Sequence, residues 1–384
     1  MAIVALIALA AWVWLLLFHG FFWLARERDD PPVETGAASR TSWPSVVAIV
    51  PARDEADVVA RSIGSLLAQD YPGQFRVILV DDNSSDGTAA AARALADPAS
   101  RLEIIDGAPL PSGWTGKLWA ENQGILHARE LAAPPDFLLL TDADIAHAPE
   151  NVRLLVDRAG ANGLVLTSLM ARLTVETFAE RLLIPAFVFY FAMLYPFAYV
   201  NDPRRRAAAA AGGCMMVRLD AFEAAGAVEA IASEIIDDCA LAARMKRQGP
   251  IWLGLTDRAR SLRPYQSLGT IGRMVRRSAY AQLRFSPWIL IGAGAGLGLL
   301  YIAPPLLGIF GTGLARFAGL GVWLAMAIAY QPMLRFYGLG FWRGLLMPVI
   351  ASIYLAFTLA SAIDHWRGRG GMWKGRAQAI AASA

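Results

Sequence analysis

Charge is what this chain of 384 residues has little of. Charged residues make up 17% of it, against about 25% in ordinary soluble proteins. The formal net charge is +3, and no aromatic–basic interleaving accompanies the arginines. That pattern speaks against a nucleic-acid surface. Cysteine is nearly absent: Cys214 and Cys239 are the two, and they build no disulfide framework. His19, His127, His147 and His365 are scattered and offer no zinc spacing. The Gly-x-x-x-x-Gly-Lys-Ser/Thr phosphate loop is missing, as is a correctly placed Gly-x-Gly-x-x-Gly. Asp82-x-Ser84-x-Asp86-Gly87 has the start of a calcium loop, but its twelfth position is Arg93 where Glu is needed.

Apolar residues are abundant: 56% of the chain, with a mean hydropathy of +0.42. They concentrate in residues 3–25 and 287–363. The first run is long enough to cross a bilayer. Arg26 and Arg28 follow it and no basic side chain precedes it. Positive residues favour the cytoplasmic side, so the N-terminus is expected outside and the next domain inside. The run lacks the basic start and small-x-small exit of a cleaved signal peptide; an anchor is the expectation, and a core helix the bland alternative.

Further spans are expected near 287–310, 317–334 and 345–363, four in total. Pro304-Pro305 and the glycines from Gly292 to Gly298 would kink or tightly pack the first of these. Four spans return the C-terminus to the outer side, yet the tail carries Arg367, Arg369, Lys374 and Arg376. Either one end segment is re-entrant or the tail breaks the charge rule. Leu182 to Val200 is also apolar. A crossing there would separate the two acidic words described below, so an interfacial or buried segment is expected.

The stretch between the greasy ends alternates short apolar runs with helical ones. Strands are expected at Val46–Val50, closed by Pro51, and at Arg76–Val80, Leu102–Ile105 and Phe137–Leu140. Helices intervene, one near Leu118–Leu131. This alternation means an α/β fold with a mostly parallel sheet and helices on both faces. Ligands then bind beyond the carboxyl ends of the strands. Asp54 and Glu55, Asp81 and Asp82, and Asp142 and Asp144 fall at those ends. One such Asp is often a turn former; the repeated placement favours function. Later strands are expected at Gly163–Ser168 and Gly212–Val217, a helix at Ile236–Lys246, and an amphipathic, interfacial helix at Ser267–Arg284.

Asp142-x-Asp144 suits a divalent cation that bridges diphosphate oxygens and eases departure of a nucleotide. A capping turn is the alternative. Asp81 is placed to accept hydrogen bonds from a base or ribose, and Asp86 to cap the next helix. Lys117, in Trp114-Thr115-Gly116-Lys117, meets phosphate as a point charge or is simply solvated. In Asp237-Asp238 the two carboxylates repel, which raises a pKa, while a helix N-terminus opposes the shift. Asp238 is the candidate base for an acceptor hydroxyl; plain helix N-terminal charge is the alternative. Arg273, Arg276 and Arg277 either clamp a diphosphate or touch anionic lipid.

Val50-Pro51-Ala52-Arg53-Asp54-Glu55, Val80-Asp81-Asp82-Asn83-Ser84-Ser85-Asp86-Gly87-Thr88 and Thr141-Asp142-Ala143-Asp144 together resemble the inverting family 2 glycosyltransferases of GT-A fold. More narrowly, Pro111 to Ala120 and Ile236 to Leu241 look like the hopene-associated glycosyltransferases of bacterial hopanoid biosynthesis; ceramide glucosyltransferases are more distant. The likeness covers about residues 44–284. It implies that Glu55 and Asp81 hold the nucleotide, Asp144 ligates the metal with Asp142 beside the sugar nucleotide, and Asp238 is the base. It also implies a UDP-sugar and magnesium or manganese. The family's Gln-x-x-Arg-Trp element has only Arg273-Met274-Val275-Arg276-Arg277 as its counterpart, which favours single transfer over chain building.

The expected organisation is an anchor (1–25), a linker (26–43), a GT-A domain (44–266), an interfacial helix (267–286), membrane helices (287–363) and a basic tail (364–384). The expected function is transfer of a sugar to a membrane lipid hydroxyl, plausible for a hopanoid-related acceptor. The expected location is the bacterial inner membrane, with the domain facing the cytoplasm. The alternatives are a processive polysaccharide synthase and a non-catalytic scaffold or lipid carrier.

Overall fold

The computed structural model describes residues 1–29, 42–373 and 376–377. Most of the expected linker, and Lys374 of the basic tail, lie outside the described residues. The chain forms two compact units, one built mainly from Glu27–Thr174 and Tyr199–Pro264, the other from Met1–Arg26, Val175–Ala198 and Tyr265–Gly371.

The first unit is an α/β domain around one eight-stranded sheet. Its strands are β1 (Val46–Ala52), β2 (Phe75–Asp81), β3 (Leu102–Asp106), β4 (Phe137–Leu140), β5 (Ile145–His147), β6 (Leu166–Arg172), β7 (Met215–Arg218) and β8 (Ile251–Ser261). Their order is β3-β2-β1-β4-β7-β6-β8-β5. β3, β2, β1 and β4 are mutually parallel. All seven residues of β1 are buried, as a strand covered on both faces requires. β7 runs antiparallel between β4 and β6, so the sheet is mixed where a mostly parallel one was expected. β5 and β8 also pair antiparallel.

Two local expectations need correction. Pro51 does not end β1, which continues to Ala52. Pairing with β4 stops at Ile49↔Leu140 while pairing with β2 continues to Ala52↔Asp81. Pro51 therefore lies past the end of one ladder, where a missing N–H costs little. β8, eleven residues long, was not expected at all. Its exposed Asp257 and Arg260 interrupt the apolar pattern, and only β6 and β5 on either side explain why it is extended.

The second unit is helical. The first helix covers only Ala2–Phe18, not the whole expected run to residue 25. Gly20 (φ 65°) and Phe21 (φ 48°) turn the chain out of the helix. Seventeen residues rise about 25 Å, short of the ~30 Å hydrocarbon core. Three later helices are long and apolar enough to cross a membrane: Pro287–Phe310, Gly313–Phe336 and Phe341–Trp366. The expected four full-length spans are therefore three, plus one shorter apolar helix. The apolar stretch around residue 190 is the helix Phe178–Leu194, mostly buried and opened by a Thr177–Glu180 capping box. The amphipathic helix runs Leu268–Gln282.

The first long helix is closely packed at Pro304, one of the positions singled out, but the glycine that allows it belongs to the second long helix. A Cβ on Gly319 would lie 2.6 Å from the Pro304 carbonyl and 2.7 Å from the Gly308 nitrogen. A Cβ on Gly292, Gly296 or Gly298 would meet open space. The helix interior instead loosens into a π-type turn at Gly298–Ile302, just before Pro304.

Candidate active site

The site lies at the carboxyl ends of β1, β2 and β4. After β1, Arg53-Asp54-Glu55 turns across the loop that follows β2. The Asp54 N–H donates to Ser84 Oγ (3.0 Å), the Glu55 N–H to Thr88 Oγ1 (2.8 Å) and the Ala56 N–H to Asp86 Oδ2 (2.9 Å). In return Ser85 N–H donates to Asp54 Oδ1 at 2.9 Å. Asp86 also accepts from the Thr88 N–H at 3.0 Å, at the start of the helix it was expected to cap. Asp54 and Asn83 take left-handed backbone (φ 49° and 54°) to make this fit, which Asp and Asn tolerate. Arg53 donates to the Asp82 carbonyl. Asp81 stays partly accessible at the strand end, its Oδ1 accepting from the Ser84 N–H at 3.2 Å.

The two acidic words meet through a lysine. Lys117 Nζ lies 2.9 Å from Asp142 Oδ1 and 3.0 Å from Asp237 Oδ2. It sits in the first turn of the helix Gly116–Arg129, which Thr115 caps by accepting from the Leu118 N–H. Burial alone would make Lys117 shed its proton, but Asp142, Asp237 and Glu121 hold its pKa well above the ordinary value. Asp238 accepts from the Gly212 N–H (3.0 Å) and the Cys239 N–H (2.7 Å). Burial first, and then the charge of Asp237, push its pKa up to about 6. Gly212 lets the backbone come this close: a Cβ there would lie 3.3 Å from Lys117 Nζ.

Asp144 has a different partner. Arg263 Nε is 2.8 Å from Asp144 Oδ2, and the same guanidinium binds the Glu55 carboxylate. Burial would weaken its positive charge, but Asp144 and Glu55 keep the pKa above even the usual arginine range. Asp142 is raised by burial and by the neighbouring Asp144 charge, with Lys117 opposing. Glu121, buried nearby, is pushed up to about 8 by burial and by Asp237 and Asp142, against Lys117. Behind β4, Thr141 Oγ1 donates to the Gly213 carbonyl at 2.7 Å and lies 3.0 Å from His147 Nε2. Burial takes His147 down to about 4, so it is a neutral brace for the strand carrying Asp142. Cys214 is buried and its thiol raised to about 12, which makes it inert.

The structure thus brings Lys117, Asp142, Asp237 and Asp238 into one cluster, and Glu55 and Asp144 into a second on the same strand end. Asp81 stands at the end of β2. Arg273, Arg276 and Arg277 belong to the helical unit. Arg276 does not stand free to clamp a ligand, because its Nε is bound to Asp364 at 2.8 Å. The arginine among the acidic residues is Arg263, which sequence reasoning missed. So was Glu121. Arg263 follows β8, and Glu121 lies four residues after Lys117 on one helix face; that spacing was the available signal.

No cluster of three His, Cys, Asp or Glu side chains is poised around a metal among the described residues. The donor chemistry nevertheless fits a hard divalent cation. Asp142 and Asp144 are close carboxylates whose mutual repulsion Lys117 and Arg263 only partly relieve. Nucleotide oxygens and water complete such a shell in sites of this kind.

Residues 47–226 match the model of the family described as Glycosyl transferase family 2. This stretch is a family 2 glycosyltransferase domain. The domain is similar to the succinoglycan biosynthesis protein ExoO of Rhizobium meliloti, 35% identical over 120 residues, 31% of each chain. It is similar too to the beta-monoglucosyldiacylglycerol synthase of Synechocystis, 35% identical over 105 residues, 26% of this chain and 22% of that one. The chain thus spans about a third or less of the length of these curated relatives. Among solved structures it is similar to the mannosyltransferase PcManGT from Pyrobaculum calidifontis, in complex with GDP-Man and Mn2+. The TM-score is 0.59 and the identity 19%, over 96% of this chain and 99% of that one. That likeness gives the glycosyltransferase domain its GT-A fold.

Proposed function

We propose that this protein is a membrane-bound inverting glycosyltransferase that moves a sugar from a nucleotide-diphospho-sugar to a lipid hydroxyl. The observation that carries the reading is the cluster built on Lys117, which ties Asp142 to Asp237 beside Asp238. Words almost a hundred residues apart in sequence meet as a donor-binding carboxylate and a candidate base. Asp81 and Glu55 hold the nucleotide. Lys117 offers a cation to the diphosphate, and Arg263 steadies Asp144. Asp142 and Asp144 would hold a divalent cation such as Mn2+ or Mg2+, which neutralises charge on the leaving diphosphate when bound.

Asp238 takes the proton of the acceptor hydroxyl as its oxygen attacks the anomeric carbon. The new carbon–oxygen bond forms as the bond to the diphosphate breaks, the nucleoside diphosphate departs, and the sugar inverts. A pKa near 6 leaves Asp238 ionised at neutral pH. It is also a stronger base there than an ordinary aspartate.

The lipid acceptor is favoured by the apolar helices that accompany the domain and by a relative named for glycolipid synthesis. A hopanoid-related lipid is the first acceptor to try, and a UDP-sugar the first donor. Arg26 and Arg28 after the first apolar helix support a cytoplasmic domain on the inner membrane. A relative named for succinoglycan biosynthesis favours, as a second reading, transfer onto a saccharide chain.

Membranes containing the protein, supplied with isotopically labelled UDP- and GDP-sugars, should form a labelled small glycolipid that mass spectrometry identifies. Label appearing only in long polymer would replace this reading with the second one. Donor bound but never consumed, across a broad lipid panel, would make the chain a non-catalytic binder.

A further inference from the structure

The last of the three long apolar helices has the composition of a span, but its contacts within the helical unit tell against a crossing. The amphipathic helix Leu268–Gln282 and Ser286 mark one end of the bundle, from which Pro287–Phe310 leaves. Gly311 and Thr312 turn the chain at the other end. Gly313–Phe336 then returns antiparallel: Gly319 packs on Pro304 and Gly308. Its first half also faces the N-terminal helix, where Ala5 meets Ala315 and Ala318. Trp12 Nε1 donates to the Leu300 carbonyl at 2.9 Å. The return helix ends near the starting face, where Leu339 N–H donates to the Leu334 carbonyl and Gly338 turns at φ 68°.

A third crossing would carry Trp366 to the Thr312 end. Instead its neighbourhood packs at the starting end. Ala362 clusters with Tyr280 and Leu290. Tyr280 N–H donates to Ser361 Oγ at 3.1 Å, and Asp364 accepts from Arg276 Nε at 2.8 Å. Leu355 lies beside Gly294, which a Cβ would meet at 3.7 Å. The helix from Met347 therefore runs antiparallel to Pro287–Phe310 and finishes beside its start.

The segment Phe341–Leu346 accounts for the difference. It is a 3-10 turn that climbs back along the returning helix. The Gln331 side chain donates to the Phe341 carbonyl (3.1 Å), Gly344 sits against Ala327, and Trp323 Nε1 donates to the Leu345 carbonyl (3.0 Å). The chain thus rises part-way as a tight turn and descends as a helix. Arg343 lies over the Trp342 ring with its guanidinium beside Gly340, pointing back to the face from which the segment entered.

We propose that Phe341–Trp366 is a re-entrant hairpin that enters and leaves the bilayer on the Ser286 side. The exposed arginines Arg273, Arg277, Arg284, Arg335, Arg367 and Arg369 then gather at one membrane face. Their partner there is the anionic headgroup layer of the cytoplasmic leaflet. Arg316 alone of the exposed arginines in these helices stands at the Thr312 end. The arrangement removes the conflict between a basic tail and four crossings, because the C-terminal region makes two crossings and not three.

Single cysteines test this in sealed membrane vesicles with a membrane-impermeant maleimide. Exposed positions Gln266, Thr312 and Arg369 serve as Gln266→Cys, Thr312→Cys and Arg369→Cys, with the unsubstituted chain as background for Cys214 and Cys239. Expected is labelling of Gln266→Cys and Arg369→Cys from one side and of Thr312→Cys from the other. Labelling of Arg369→Cys from the Thr312→Cys side means a true third span and overturns the proposal. Labelling of all three from one side means that none of these helices crosses and overturns it as well. If Arg369→Cys fails to accumulate, the exposed Arg367 is substituted as Arg367→Cys, which must label with Gln266→Cys for the proposal to stand.

Discussion

Asp238 accepts from two backbone N–H groups, and the charge of Lys117 works against the rise in its pKa. Asp238→Asn keeps the size and one of the two acceptor oxygens but removes the base. It should leave donor binding intact and lower turnover by about 10²–10⁴-fold, the range for loss of a general base. Equilibrium binding of labelled donor and single-turnover transfer separate the two. The pH profile carries the same signature. The base works only when ionised, so the rate should fall as pH drops through about 6 and level off above it. An unchanged profile in the Asn variant's residual activity would locate the titration elsewhere. The residue types were readable from sequence, since both acidic words and Lys117 stand out there. Their pairing was not. Lys117 bridges Asp142 and Asp237 because the helix Gly116–Arg129 and the helix Asp237–Met245 converge on the end of β4, and no local spacing encodes that.

Elements differ in how far they follow local rules. β1, β2 and β4 are mostly runs of buried apolar residues, and such runs announce themselves. β8 holds its extended shape because β6 and β5 supply partners on both sides; its own pattern is ambiguous. The helix Gly313–Phe336 shows the reverse dependence. Its small residues carry no secondary-structure signal, yet Gly319 sets how closely it meets Pro304–Gly308. Gly319→Ala places a methyl 2.6 Å from a backbone carbonyl, which no side-chain rotation relieves. The variant should lose about 1–3 kcal/mol, read as a lower thermal midpoint in detergent. Gly296→Ala, which faces open space, should sit near the parent value and serves as the control.

For the whole molecule, a buried acidic site has a stability cost that depends on pH. Glu121 has its pKa raised from 4.5 to about 8 in the folded chain. Between those values the unfolded chain has released this proton while the folded chain still binds it. Its contribution is fully present below 4.5 and is lost as pH rises through about 8. Glu121→Gln removes that dependence. The thermal midpoint of the variant should decline less than the parent's between pH 5 and pH 8. A parallel decline in both would mean that Glu121 does not titrate in this window.

By itself the sequence determined the α/β class of the middle, the strand ends that carry carboxylates, and the greasy character of the two ends. Those properties are local: hydrophobic runs, turn residues and short words whose spacing is set by one strand or one helix. Tertiary structure decided the rest. It set Arg263 against Asp144 and Glu55, and it paired Arg276 with Asp364. It ended the first apolar helix at Phe18, and it laid the last one beside its starting face. Hydropathy records how greasy a segment is. It holds no record of the direction in which packing turns that segment, since direction is fixed by contacts between residues far apart in the chain.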